Sequence, residues 1–124
     1  MGTTSMSVRQ NQQYRWLDIA NTIQTVMDLS KPYKLVLPHL HGMVLSLYYM
    51  SEPKSILELG LGGGALQRFF NHHFPKTAFH SVELDPRIIE YFLKFFADGL
   101  DEPEQRVTQA DALEAIKQQS NLDI

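Results

Sequence analysis

Ser55-Ile-Leu-Glu-Leu-Gly-Leu-Gly-Gly-Gly64 decides the reading of this chain. A short apolar run carries one acid, Glu58, and then breaks into glycines at positions 60, 62, 63 and 64. An amphipathic stretch, Ala65 to Phe74, follows at once. The pattern reads as a buried strand, a tight turn and a helix start. In such a turn glycines permit positive φ and let a ligand approach the bare backbone. About twenty residues on, a second apolar run ends in an acid, Val82-Glu-Leu-Asp-Pro86, at the interval where nucleoside-binding folds place a ribose-holding carboxylate. Together the two stretches point to a site for a nucleoside-bearing cofactor.

Working outward, the pattern from Ser55 is βαβαβα. Strand Ile56 to Leu59 precedes helix Ala65 to Phe74, strand Ala78 to Leu84 precedes helix Arg87 to Ala97, and strand Arg106 to Gln109 precedes helix Ala112 to Gln119. Asp98 to Gln105 reads as a loop, and Leu122-Asp-Ile124 as the first residues of another strand. Alternating strands and helices imply a parallel sheet with right-handed crossovers, a Rossmann-like α/β fold. Upstream, Tyr14 to Ile19 and Thr22 to Met27 flank Ala20-Asn21, which suits a β-hairpin. Leu35 to Pro38 reads as extended, since proline disfavours helix before it, and Leu40 to Tyr49 has helical apolar content. The expected organisation is a flexible tail over 1–13, a hairpin and linker helix over 14–52, and a cofactor-binding domain over 53–124.

The bulk properties narrow the class. The chain has 124 residues, one modest domain, with 44% hydrophobic and 20% charged residues. A net charge of −3 gives no electrostatic reason for a nucleic-acid partner. Without cysteine there are no disulfides, thiolate metal sites or Cys nucleophiles. The longest apolar stretch, Val44 to Met50, is too short to span a bilayer, and no signal pattern opens the chain. The expectation is a cytoplasmic protein with no membrane partner.

Several residues carry the candidate chemistry. The glycine spacing also fits a dinucleotide-binding turn, because Ala65 stands where the third fingerprint glycine falls and alanine is tolerated there. Glu58 leans the other way: an acid at the end of the strand suits a cationic amino group and suits a pyrophosphate poorly. Glu83 has the chemistry to accept hydrogen bonds from two ribose hydroxyls, or it is a solvated strand-end acid. Asp85 before Pro86 reads as a helix N-cap. Asp111, at the carboxyl end of the third strand, either accepts from an adenine amino group or caps the next helix. His39 and His41 lack a third ligand nearby, so no metal site is expected. His72-His73 suits the negative end of a helix dipole, and Tyr91, Phe92, Phe95 and Phe96 follow core spacing.

Taken together, Pro53 to Gly64, Val82-Glu-Leu-Asp-Pro86, Leu100-Asp-Glu-Pro-Glu-Gln-Arg-Val107 and Ala110-Asp-Ala112 resemble the class I S-adenosylmethionine-dependent methyltransferase fold. Within it, the upstream hairpin followed by Pro32-Tyr33 and Leu37-Pro38 looks most like spermidine synthase-like proteins. The resemblance implies binding of S-adenosylmethionine, decarboxylated S-adenosylmethionine or methylthioadenosine. Glu58 with Gly60, Gly62 and Gly64 would hold the amino-acid or aminopropyl end, Glu83 the ribose and Asp111 the adenine. Gln24 matches a glutamine that aminopropyltransferases often carry near the cofactor.

The departures are as telling. Where the synthases show Asp-Glu and then Tyr-His-Glu, this chain has Asp28-Leu and Tyr33-Lys-Leu35, and Lys34 has the wrong sign for a polycationic amine. The family's catalytic acid ends its fourth strand, so the resemblance implies an N-terminal portion truncated before that acid, with the catalytic residue unknown and the acceptor unidentified, an amine among the candidates. A first strand without its fourth-strand neighbour presents an apolar edge, which implies a homo-oligomer. Two other readings stand beside this one: a non-catalytic oligomerisation or binding module, and an NAD-binding oxidoreductase fragment.

Overall fold

The computed structural model describes residues 5–37, 54–111, 113, 114 and 117. Two three-stranded sheets organise them. The first is antiparallel, in the order β1 (Met6–Gln10), β2 (Tyr14–Ile19), β3 (Thr22–Asp28). The second is parallel, in the order β4 (Ser55–Leu59), β5 (Ala78–Glu83), β6 (Val107–Gln109). Helix α1 (Ala65–His73) joins β4 to β5, and α2 (Pro86–Phe95) with a 3-10 turn at Pro103–Arg106 joins β5 to β6. This is the mixed α/β, Rossmann-like architecture expected. Among the described residues no helix is long and apolar enough to cross a membrane.

The hairpin turns where expected. Ala20 (φ 51°) and Asn21 (φ 63°) both adopt the left-handed region, as a two-residue turn between twisted strands requires. The stretch expected to be a flexible tail instead contributes β1, whose pairing with β2 runs from Met6↔Ile19 to Gln10↔Arg15. The Asn11 side chain accepts from the Gln13 and Tyr14 N–H groups, closing the β1–β2 connection. Val8 packs against the core from β1. Met-Ser-Val-Arg-Gln holds too little apolar alternation to announce a strand, and it is pairing that makes it one.

α2 starts as its sequence dictates. Asp85 caps it by accepting from the Arg87 N–H at 2.9 Å, with Pro86 in the first turn. It ends at Phe95, two residues short of the expected Ala97. The core lies between the hairpin and α2: Leu17 and Met27 from the strands meet Phe92, Phe96 and Leu100, and Leu61 of the glycine turn inserts among them. Phe92 and Phe96 are fully buried, in keeping with their spacing. Ile56, Phe70 and Val82 are buried as well, and Phe79 of β5 stacks on Phe70 of α1. The expected helix at 40–49, His39 and His41, and the terminal residues 122–124 lie outside the described residues. Positions 113, 114 and 117 of the expected last helix are helical.

Candidate functional site

All four turn glycines have positive φ: Gly60 +95°, Gly62 +56°, Gly63 +89° and Gly64 +83°. They divide into two kinds. Gly60 and Gly62 have open space where a Cβ would stand. A Cβ on Gly63 would overlap the Thr25 side chain, and one on Gly64 would overlap the Phe92 ring. Gly60 and Gly62 therefore leave bare backbone on the outside of the turn, whereas Gly63 and Gly64 let the hairpin and α2 approach it. Gly64, expected among the cofactor-holding residues, is placed in packing and serves as the N-cap residue of α1.

The carboxylate of Glu83 fixes this turn from the neighbouring strand. One oxygen accepts from the Leu61 N–H at 3.0 Å, and the other from the Asp85 N–H at 3.0 Å. Gly60 N–H donates to Val82 O, continuing the ladder into the turn. Each carboxylate oxygen retains a further acceptor lone pair. Glu83 is thus both the clamp on the turn and an acceptor at the carboxyl end of β5.

Glu58 sits at the end of an internal hydrogen-bond chain. The Gln67 amide donates to Ser81 Oγ at 2.9 Å and to Arg106 O at 2.9 Å. With its lone pair engaged, Ser81 Oγ donates to Glu58 Oε1 at 2.7 Å. Burial pushes the Glu58 carboxyl up to about 7, helped by the charge of Glu83 and opposed by the Ser81 hydrogen bond. A half-buried carboxyl poised near neutrality binds a cation more readily than an anion.

The hairpin supplies the other wall. Gln24 and Thr25 of β3 line a cleft of about 150 Å³ together with Glu58, Gly60, Leu61, Gly62, Ala65 and Leu66. That volume is below the roughly 300 Å³ of a whole-ligand pocket, so the cleft accommodates one end of a ligand. Two arginines dock the hairpin side. Arg15 Nη1 donates to Phe95 O at 2.8 Å. Arg68, buried, donates to Pro32 O at 2.7 Å, and to Gly63 O and Phe96 O at 2.8 Å each. Burial lowers the Arg68 guanidinium to about 10, so it remains a cation at neutral pH.

The structure therefore brings Gln24, Glu58, Gly60 and Gly62 to one cleft, with Glu83 holding its floor. Asp111 lies at the carboxyl end of β6, exposed, and accepts from the Leu113 N–H at 2.7 Å as a helix cap does. Asp28 accepts from Ser30 and Lys31 and is engaged in a turn; the Ser30 hydroxyl leads in holding its carboxyl below the usual range. Thr25, Gln67, Arg68 and Ser81 escaped the sequence reading. No one-dimensional signal marks them, since each acts through a partner at least 14 positions away. A larger depression of about 220 Å³, lined by Met6, Arg87, Glu90 and Tyr91, holds none of the expected residues.

No family model matches the chain. It is 33% identical over 98 residues to a polyamine aminopropyltransferase of Chromobacterium violaceum, covering 79% of this chain and 38% of that protein. A probable spermidine synthase from Corynebacterium glutamicum superposes with a TM-score of 0.72 at 16% identity, over 90% of this chain and 43% of its own, a likeness of fold. Human methyltransferase-like protein 13, solved in complex with SAH, superposes with a TM-score of 0.57 at 30% identity, over 67% of this chain and 40% of its own. The chain thus spans well under half the length of each. With the glycine turn, the strand-end acids and the upstream hairpin all in place, the chain has the Rossmann-like fold of the class I S-adenosylmethionine-dependent methyltransferases and is similar in sequence to polyamine aminopropyltransferases, the spermidine synthases.

Proposed function

We propose that the chain binds S-adenosylmethionine or its decarboxylated form as the cofactor half of an aminopropyl- or methyltransferase. One observation carries this reading: Gln24 from the hairpin meets Glu58, Gly60 and Gly62 of the nucleotide-type turn on the wall of one cleft. The residues fit the group. Gly60 and Gly62 leave a cradle that a side chain would fill. Glu58 offers a carboxylate to the cofactor's ammonium end, and Glu83 offers its remaining lone pairs to the ribose hydroxyls. Asp111, exposed beyond β6, is the acceptor we assign to the adenine amino group, in addition to its capping bond.

When bound, the sulfonium nucleoside supplies an electrophilic carbon for transfer to a nucleophile. This chain's own residues orient it and exclude water from one end, which is where positioning lowers a barrier. We assign no catalytic base. The acceptor is an amine in the aminopropyl case. A pyrophosphate-bearing dinucleotide is disfavoured, because Glu58 sits beside the turn that would receive its negative charge.

Thermal denaturation tests the reading. A saturating ligand that binds only the folded chain raises its stability by about 2.7 kcal/mol at a hundredfold excess over Kd. S-adenosylmethionine, its decarboxylated form or methylthioadenosine should raise Tm, and NAD should not. A rise with NAD alone would reverse the assignment.

A further inference from the structure

Among the described residues, the buried side-chain polar atoms left without a hydrogen-bond partner are Thr25 Oγ1, Gln67 Oε1 and Arg68 Nη2. Thr25 is the one that lines the cleft, and it is 1% exposed. Its side chain lies over Gly63, in the space a Cβ there would take. An unpaired buried hydroxyl costs free energy, and a fold that retains one at a cleft wall has a donor and acceptor in reserve for a ligand.

Gln24, its neighbour, lines the same cleft. In a regular strand successive side chains point to opposite faces, so neighbours do not share a wall. β3 is not regular. Leu17 pairs with Thr25 and Asp18 with Ile23, which leaves Gln24 as the extra residue of a β-bulge. A bulge bends its strand and re-aims the side chains beside it. It also accounts for Ile23, 52% exposed where the alternation of Thr25 and Met27 would bury it.

We propose that this bulge is a recognition device: it turns Gln24 and Thr25 together onto the glycine-turn cleft, where the Thr25 hydroxyl joins the Gln24 side-chain carbonyl and the Glu58 carboxylate as a third oxygen acceptor for a primary ammonium group of the ligand. A primary ammonium has three N–H donors and no acceptor, so three oxygen-bearing side chains lining one cleft match it in number and kind. The proposal rests on the sulfonium-nucleoside reading above, and it adds that the hairpin reads the amine end.

Titration calorimetry on Thr25→Val and Thr25→Ser tests it, with S-adenosylmethionine, decarboxylated S-adenosylmethionine and 5′-methylthioadenosine. Methylthioadenosine keeps the nucleoside and lacks the amine. Valine keeps the shape over Gly63 and removes the hydroxyl; serine keeps the hydroxyl. The expected result is about tenfold weaker binding of the amine-bearing nucleosides to Thr25→Val. Methylthioadenosine affinity should be unchanged, Tm of Thr25→Val should hold or rise because an unpaired buried hydroxyl is removed, and Thr25→Ser should bind as the parent does. Unchanged amine binding in Thr25→Val, or an equal loss for methylthioadenosine, would overturn the proposal while leaving the nucleoside reading intact. A parent chain that binds no nucleoside would remove both.

Discussion

Glu58 is the residue whose chemistry the site turns on. Its carboxyl is raised from 4.5 to about 7, with burial the leading cause. The folded chain therefore holds a proton there that the unfolded chain gives up, so this group's contribution to stability is complete below about pH 4.5 and is lost as pH rises through about 7. Glu58→Gln, which cannot ionise, should flatten the pH dependence and leave the variant more stable above pH 7, by on the order of 2 kcal/mol. Urea titrations at pH 5 and pH 8 read this directly. Ligand affinity moves the opposite way: a cationic amine requires the carboxylate, so the parent should bind more tightly as pH rises through 7, and Glu58→Gln should bind weakly at every pH. At this scale the sequence was most legible for acids at strand ends, because a charge closing an apolar run is visible in one dimension. Ser81 and Gln67, which orient Glu58, were not: a buried polar side chain is recognised by its partners, and those lie across the sheet.

The glycine turn is the element that best separates ligand from packing. Four glycines in five positions read as one motif, yet two face open space and two face side chains. Gly64→Ala should cost about 2–4 kcal/mol, since it adds a collision with Phe92 to the strain of a left-handed backbone. Gly60→Ala meets open space and should cost only the backbone strain, about 1–2 kcal/mol. Denaturant midpoints of the two variants compare them, and equal losses would contradict the division. The Ala20-Asn21 turn and the Asp85-Pro86 cap were readable because each is local. β1 was not, since five weakly patterned residues become a strand only through the register of β2. The bulge at Gln24 was hidden for the same reason.

At the scale of the whole molecule, the hairpin and the parallel sheet act as one site because arginines tie them. Arg68 bonds three carbonyls from three segments, Pro32 after the hairpin, Gly63 in the turn and Phe96 beyond α2. Arg68→Met leaves those carbonyls unpaired and should lower stability by on the order of 3 kcal/mol in urea denaturation. Ligand affinity should fall with it, since Gln24 then loses its fixed place opposite Glu58. Among the described residues the outer edge of β4 carries no strand. We propose that the chain self-associates there, so light scattering at rising concentration should give masses above 14.2 kDa; a concentration-independent monomer would refute it. The α/β order of the sheet was legible throughout, because hydrophobic period and glycine placement repeat along the chain. How the hairpin sits on the sheet was not, because it rests on contacts between segments far apart in sequence. The central claim is that this cleft holds a sulfonium nucleoside or its thioether counterpart, and isothermal titration of the full chain with S-adenosylmethionine, its decarboxylated form, methylthioadenosine and NAD tests it most directly. The account predicts saturable binding of at least one of the first three, reduced about tenfold or more in Glu83→Ala, and no response to NAD. Binding of NAD with no response to the other three, or Glu83→Ala binding as tightly as the parent, would contradict it.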